Sequence, residues 1–199
     1  MNEKKYIELF SQARIDSYGS IEEHEANFQM LGKIAPKLAR IEIIVRNRID
    51  RKMRENNENW MSHLPNDIIL DDDNGKIKDC DTLVSRQTFG FWIKVVEHYK
   101  IHSCAFNKEF LDNFSFKKYY EKNKERLNKK ELNNYQKAYA ILLLTKSIRN
   151  RAFHFENLLK ILANNRPRLS VKATFRKNQT IFSIMPNKII DFLNDILSN

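Results

Sequence analysis

Tyr139-Ala140-Ile141-Leu142-Leu143-Leu144-Thr145-Lys146-Ser147-Ile148-Arg149-Asn150-Arg151-Ala152-Phe153-His154-Phe155-Glu156 decides how this chain is read. Its first half is the most apolar run of the sequence, long enough for a buried helix and too short to span a membrane. Its second half turns polar at once and sets Arg149, Asn150 and His154 directly behind the buried part. Reactive groups carried on a rigid, buried element are held still, as a site requires. Asn150 and His154 are four residues apart and share a face on a continuous helix. Arg149 is displaced from His154 by about 140° around an ideal helix. Both therefore reach one phosphate only where the helix ends or distorts near Arg151.

The rest of the chain supports a helical reading. Only 4 Gly and 4 Pro occur in 199 residues, which disfavours an all-β sandwich or a glycine-looped nucleotide fold. A hydrophobic fraction of 42% suffices for a real core. The net charge of +10 favours a polyanionic partner such as a nucleic acid over a merely lysine-rich surface. Cys80 and Cys104 do not make a disulfide framework. Met1-Asn2-Glu3-Lys4-Lys5 leads into an amphipathic segment rather than a secretory leader, and no run reaches transmembrane length. A cytoplasmic protein with no membrane partner is expected.

Residues 3–16 predict a helix from Tyr6, Leu9, Phe10 and Ala13, stopped by Ser17-Tyr18-Gly19. Ser20-Ile21-Glu22-Glu23 is a capping box for a second helix with Phe28, Leu31 and Ile34, which Pro36 ends or kinks. Residues 37–55 predict a helix whose buried stripe is Leu38, Ile41, Val45 and Ile49. Its polar side, with Arg46, Asn47, Arg48 and Arg51, is either solvated surface or a phosphate-contacting face. Residues 56–85 read as irregular. The acidic run Asp71-Asp72-Asp73-Asn74-Gly75 lacks the ligand spacing of a calcium loop and reads as solvated. Residues 87–101 predict a helix whose aromatics, Phe89 and Trp92 among them, read as core rather than as a base-stacking surface. His98, His102 and Cys104 lack a fourth ligand, so no metal is expected.

Residues 106–128 predict two short helices in which aromatics alternate with Lys117, Lys118 and Lys122, a pattern that suits RNA or lysines lying over a core edge. The central helix is expected from about residue 130 to 151, with a further helical segment through Phe155, Leu158, Leu159, Ile161 and Leu162. Residues 170–185 alternate around a turn at Lys177-Asn178-Gln179 and predict a small C-terminal β-hairpin. Pro186 then starts a last helix. The expected organisation is a helical domain over 1–165, with a hairpin and helix over 166–199 packed on the same domain.

Arg and His together suit phosphodiester chemistry. RNA carries its own nucleophile, the 2′-hydroxyl, which His154 can deprotonate, and His154 can equally protonate a leaving oxygen. Arg149 can stabilise charge on the phosphoryl oxygens, and Asn150 can orient the imidazole or the phosphate. One imidazole cannot be base and acid in the same transition state, and a symmetric dimer would supply the second. The structural alternative is that Arg149 salt-bridges or caps its helix and His154 is a satisfied core histidine.

Arg149-Asn150-Arg151-Ala152-Phe153-His154 resembles the Arg-x4-6-His motif of HEPN-domain ribonucleases, in the Arg-Asn-x-x-x-His form. Ile41-Glu42-Ile43-Ile44-Val45-Arg46-Asn47-Arg48-Ile49 and Phe89-Gly90-Phe91-Trp92-Ile93 resemble earlier blocks of the Abi-like, abortive-infection branch. The three blocks cover most of residues 25–160, and the region after 165 resembles nothing placed. The resemblance implies an all-α, HEPN-like helical bundle and a metal-independent endoribonuclease without cofactors. It also implies a homodimer whose paired motifs line one cleft. The role would lie in phage defence or toxin–antitoxin systems, with an antitoxin or regulatory partner. Catalytic roles fall to Arg149 and His154, with Asn150 assisting. Arg46, Asn47, Arg151, Lys117, Lys118 and Lys122 would contact RNA. The alternative function is a non-catalytic basic helical module that binds RNA or a partner protein in the same defence setting.

Overall fold

The structure, a computed structural model, describes residues 2–71, 75–77 and 79–199. Most of the acidic run expected as a solvated loop, residues 72–74, lies outside the described residues. The fold is mostly helical, with a small antiparallel C-terminal sheet. No helix among the described residues is long and apolar enough to cross a membrane.

The expected helix over 3–16 is two helices, α1 (Glu3–Phe10) and α2 (Gln12–Tyr18). Ser11 between them has φ 68°, and its hydroxyl accepts from the Arg14 amide, so it interrupts one helix and caps the next. Gly19, at φ 105°, ends α2, and the Ser20 hydroxyl caps α3. Pro36 neither ends nor divides that helix: α3 runs unbroken over Ile21–Arg54. A proline inside a helix removes one donor and crowds one carbonyl. Here Pro36 is exposed, and burial of Leu31, Ile34, Leu38, Ile41, Val45 and Ile49 on its opposite side holds the helix together across it.

The region expected to be irregular contains a 3-10 turn at Trp60–His63 and a short helix, α4 (Cys80–Arg86), capped by the Asp79 carboxylate. α5 (Phe89–Tyr99) follows, capped by Thr88. Its Phe89, Phe91, Trp92 and Ile93 are all buried in the core. Then come α6 (His102–Ala105), α7 (Lys108–Asn113) and a 3-10 turn at Phe116–Lys118. The central helix starts later than expected, because β1 (Arg126–Leu127) and β2 (Lys130–Glu131) first form a tight hairpin. Its turn residues Asn128 and Lys129 both have positive φ, as the favoured two-residue hairpin turn requires. α8 (Asn134–Phe153) then opens on a reciprocal capping box between Asn133 and Gln136.

The helical segment expected beyond His154 is absent. The chain leaves α8 through Phe155 at φ 52° and runs through turns to β3 (Ser170–Phe175) and β4 (Asn178–Ser183). Register pairs Phe175 with Asn178, so the turn is Arg176-Lys177, one residue earlier than expected. α9 (Ile189–Leu197) closes the chain after a 3-10 turn that begins at Pro186.

One cluster of buried apolar residues runs from Leu31 on α3 through α5 and α8 to Phe182 and Ile196. Ala138, Ala140, Ile141, Leu142, Leu144 and Ile148 place α8 at its centre. Leu144 is fully buried there, whereas Ile69 is 79% exposed. Leu144→Ala is therefore expected to cost about 2–5 kcal/mol of unfolding free energy in urea titration. Ile69→Ala is expected to change it by less than about 0.5 kcal/mol.

Candidate functional site: the C-terminal end of α8

α8 runs through Phe153, two residues past the stop near Arg151 that the sequence reading required. His154 is its C-cap, at φ −94° and ψ 7°, and its amide donates to the Asn150 carbonyl at 3.0 Å. The Phe155 amide bonds the Ala152 carbonyl at 3.1 Å and the Glu156 amide bonds the Arg151 carbonyl at 2.8 Å. That double closure is a Schellman turn, whose left-handed position usually holds glycine or asparagine. Here it holds Phe155, with φ 52°.

The N-terminal helices keep this turn in place. The Phe155 carbonyl accepts from Arg14 Nη2 at 2.9 Å and from the Tyr18 hydroxyl at 2.6 Å. Asn27, almost fully buried, donates to the Glu156 carbonyl at 3.3 Å and accepts from the Leu158 amide at 2.9 Å. The Phe155 ring packs against Phe28, centroids 6.3 Å apart. The sequence reading gave none of these four residues a role at the end of α8. Asn27 continues the α3 stripe at helical spacing from Leu31 and Ile34, and that register was the available signal.

His24 supports the same corner from beneath. Its Nε2 accepts from Arg14 Nε at 3.3 Å, which leaves the proton on Nδ1, facing the Tyr6 hydroxyl at 2.7 Å. Tyr6 in turn donates to Glu25 at 2.5 Å. Burial, with the adjacent Arg14 cation, lowers the His24 pKa below its ordinary value. Burial and the Glu25 carboxylate push the Tyr6 phenol up to about 12.

The motif side chains lie on the open side of this corner. His154 is exposed and is not a core histidine. Arg149 is about one-third exposed, and its guanidinium lies 5.3 Å from the centre of the Phe153 ring. Its Nε reaches Glu42 on α3 at 3.4 Å, and its Nη1 reaches Asn150 Oδ1 at 3.4 Å. Arg149 thus does salt-bridge, but through two long contacts that leave other guanidinium N–H groups free. Arg151 is differently employed. It pairs with Glu156 at 2.7 Å, and Glu156 also receives Arg168 at 3.3 Å. Phe153 and Phe155, either side of His154 in the chain, are 50% and 51% exposed, and Ile43, next to Glu42 on α3, is 47% exposed.

The other candidates divide by place. Arg46 lies one turn beyond Glu42 on α3 and donates to its neighbour Asn47 at 3.2 Å. Lys117, Lys118 and Lys122 do not join the motif. Lys117 shares a cleft with Lys137 of the first turns of α8, and Lys118 pairs with Asp195 at 2.5 Å. From Lys137 to Arg149, α8 rises roughly 18 Å. Cys104 is a half-buried thiol pushed up to about 11 by burial, and no metal-binding group of side chains occurs among the described residues. No protein-family model, curated protein or solved structure matches this chain.

Asn27→Ala strands the Leu158 amide and the Glu156 carbonyl, and should cost about 1–3 kcal/mol in chemical denaturation. His24 adds a pH dependence. Its pKa is lowered in the folded state from an ordinary 6.5, so the unfolded chain takes up the proton first. Its contribution to stability is complete above 6.5 and declines as pH falls from there towards the lowered value. Urea midpoints should therefore fall between about pH 7.5 and 5.5, and His24→Gln should flatten that slope.

Proposed function

We propose that the protein is a metal-independent endoribonuclease of the HEPN type, acting as a dimer. The observation that carries this reading is the clustering of Arg149, Asn150 and His154 at the open end of a rigid, buried helix. His154 removes the proton of an RNA 2′-hydroxyl, and the 2′-oxygen forms a bond to phosphorus. The phosphorus–5′-oxygen bond breaks, giving a 2′,3′-cyclic phosphate and a 5′-hydroxyl. Arg149, turning from Glu42 to the phosphate, offsets the charge that develops on the phosphoryl oxygens. An ion pair about one-third exposed with a long contact contributes little to stability, so a dianionic phosphoryl group in the transition state displaces it readily.

The leaving oxygen needs a proton while the first imidazole holds one. The second His154 of a symmetric pair supplies it. Ile43, Phe153 and Phe155 give the motif an apolar rim suited to such a pairing. The fold agrees with a helical bundle of this type in its coarse features. A phage-defence or toxin–antitoxin role, and an antitoxin or regulatory partner, belong to the same proposal through the motif's resemblance. The second reading, a non-catalytic RNA- or protein-binding module, is favoured by the Glu42 contact that occupies Arg149.

Purified wild type and His154→Ala, both checked for folding by circular dichroism, are compared on a mixed RNA pool in EDTA. The wild type should cleave undiminished by the chelator, and His154→Ala should be slower by at least about a hundredfold. Equal cleavage by both proteins, or none by the wild type, would remove the ribonuclease reading in favour of the binding module.

A further inference from the structure

α8 is buried around most of its circumference, and the partly open residues Tyr135, Tyr139, Leu143, Lys146 and Asn150 fall along one strip of it. Their spacings of three and four residues keep them on one face. β3 and α5 stand on either side of this strip. Val171 and Lys172 of β3 share a groove with Leu143, Lys146 and Asn150. Thr174 and Phe175 of β3, with Arg176, close a cleft of about 720 Å³ over Tyr135 at the other end. On α5, Gly90 makes room for Lys146, whose Nζ would lie 3.1 Å from a β-carbon there, and Glu97 accepts from the Tyr139 hydroxyl at 3.3 Å. The strip is therefore the floor of a trough that ends at Asn150, beside Arg149 and His154.

The chemistry of the trough is that of a nucleic-acid groove. Lys100, Lys130, Lys146, Lys172 and Arg176 line it against the carboxylates of Glu97, Glu131 and Glu156, and none of these five cations is paired with a carboxylate among the described residues. Asn133 and Gln136 use their carbonyl oxygens in the helix cap and keep their NH2 groups for a ligand. The Tyr135 ring lies within 15° of parallel to that of Tyr139, with the Lys100 ammonium 4.6 Å from its centre. A base stacking on Tyr135 takes the place of Lys100 and frees that cation for a phosphate. Apolar anchors that would seat a protein helix are few here, Leu143 being partly covered already. A duplex keeps its base faces stacked inside and has none to offer Tyr135.

We propose that this trough binds single-stranded RNA, with a base on Tyr135 and backbone phosphates along Arg176, Lys172 and Lys146. It leads the strand to the motif, roughly 21 Å away along α8. The direction of the strand rests on the ribonuclease reading, whereas the binding itself needs no cleavage.

The test is fluorescence anisotropy with a labelled, unstructured oligoribonucleotide of about twelve nucleotides. It is run in the His154→Ala background, so that the RNA stays intact. Tyr135→Ala should weaken binding about tenfold or more, and Tyr135→Phe should retain it. Arg176→Asn, which suits the positive φ of 56° at that turn, should weaken binding and reduce its salt dependence. A duplex of the same sequence should bind more weakly. Unchanged affinity in both Tyr135→Ala and Arg176→Asn, equal affinity for the duplex, or no binding by the parent would each overturn the proposal. Should Tyr135→Ala lose its fold, Arg176→Asn decides alone. Binding that depends on Tyr135 without any cleavage by the wild type removes the ribonuclease reading and keeps the trough. Wild-type cleavage with KM unchanged by Tyr135→Ala does the reverse.

Discussion

The left-handed turn at Phe155 is the constraint on which the arrangement of this molecule depends. A phenylalanine in that conformation costs on the order of 1 kcal/mol relative to glycine, and it stays there only if its surroundings demand it. Arg14 and Tyr18 both donate to its carbonyl, and Asn27 holds the two residues that follow. Helices at the start of the chain thereby fix where a helix more than a hundred residues later must end. His154, whose amide still bonds the Asn150 carbonyl, keeps its helical place about 140° around the axis from Arg149, and the turn at Phe155 frees the space beyond it. The relay of buried His24 and Tyr6 with exposed Glu25, with Arg14 at its head, belongs to the same corner and couples its stability to acid.

Charge at this end of α8 is sorted by burial and partnership rather than by sequence neighbourhood. Arg149 and Arg151 are two residues apart, yet their situations differ. Arg151 meets the Glu156 carboxylate at 2.7 Å, shares it with Arg168 at 3.3 Å, and holds the exit of the helix against the segment before β3. Arg149 meets Glu42 at 3.4 Å and faces solvent on its other side. An incoming phosphate competes with one carboxylate at Arg149, whereas at Arg151 it would have to dismantle a three-membered cluster.

Much of the scaffold was legible because burial imposes a period. The stripe Leu38, Ile41, Val45 and Ile49 and the apolar run of α8 were read directly, and so was the alternation of Val171, Ala173 and Phe175. The departures have local causes. Pro36 reads as a stop, but an exposed proline is overruled when the opposite face of its helix is buried on both sides of it. The end at Phe153 was not legible, because neither glycine nor asparagine marks the left-handed position and the forces that hold it come from Arg14, Tyr18 and Asn27. His24 and Asn27 read as helix polarity, since a sequence does not show which polar side chains find buried partners. Lys117, Lys118 and Lys122 read as RNA contacts. Lys117 instead shares a cleft with Lys137 of the first turns of α8, and Lys118 pairs with Asp195 of α9.

The same helix that supplies the motif also accounts for the trough. A helix buried on nearly every side has few side chains left to present, and those it presents are fixed by the packing of the rest. In α8 the alanine and leucine positions are used up against α3, α5 and β3, so Tyr135, Tyr139, Lys146 and Asn150 stay in line. Their mutual spacing is set by the helix rise and cannot drift as loop-borne groups do. Arg149 and Asn150 lie on that same rigid rod, with His154 at its cap. Registration between a bound strand and the motif then rests on α8 together with Lys172 and Arg176 of the hairpin beside it.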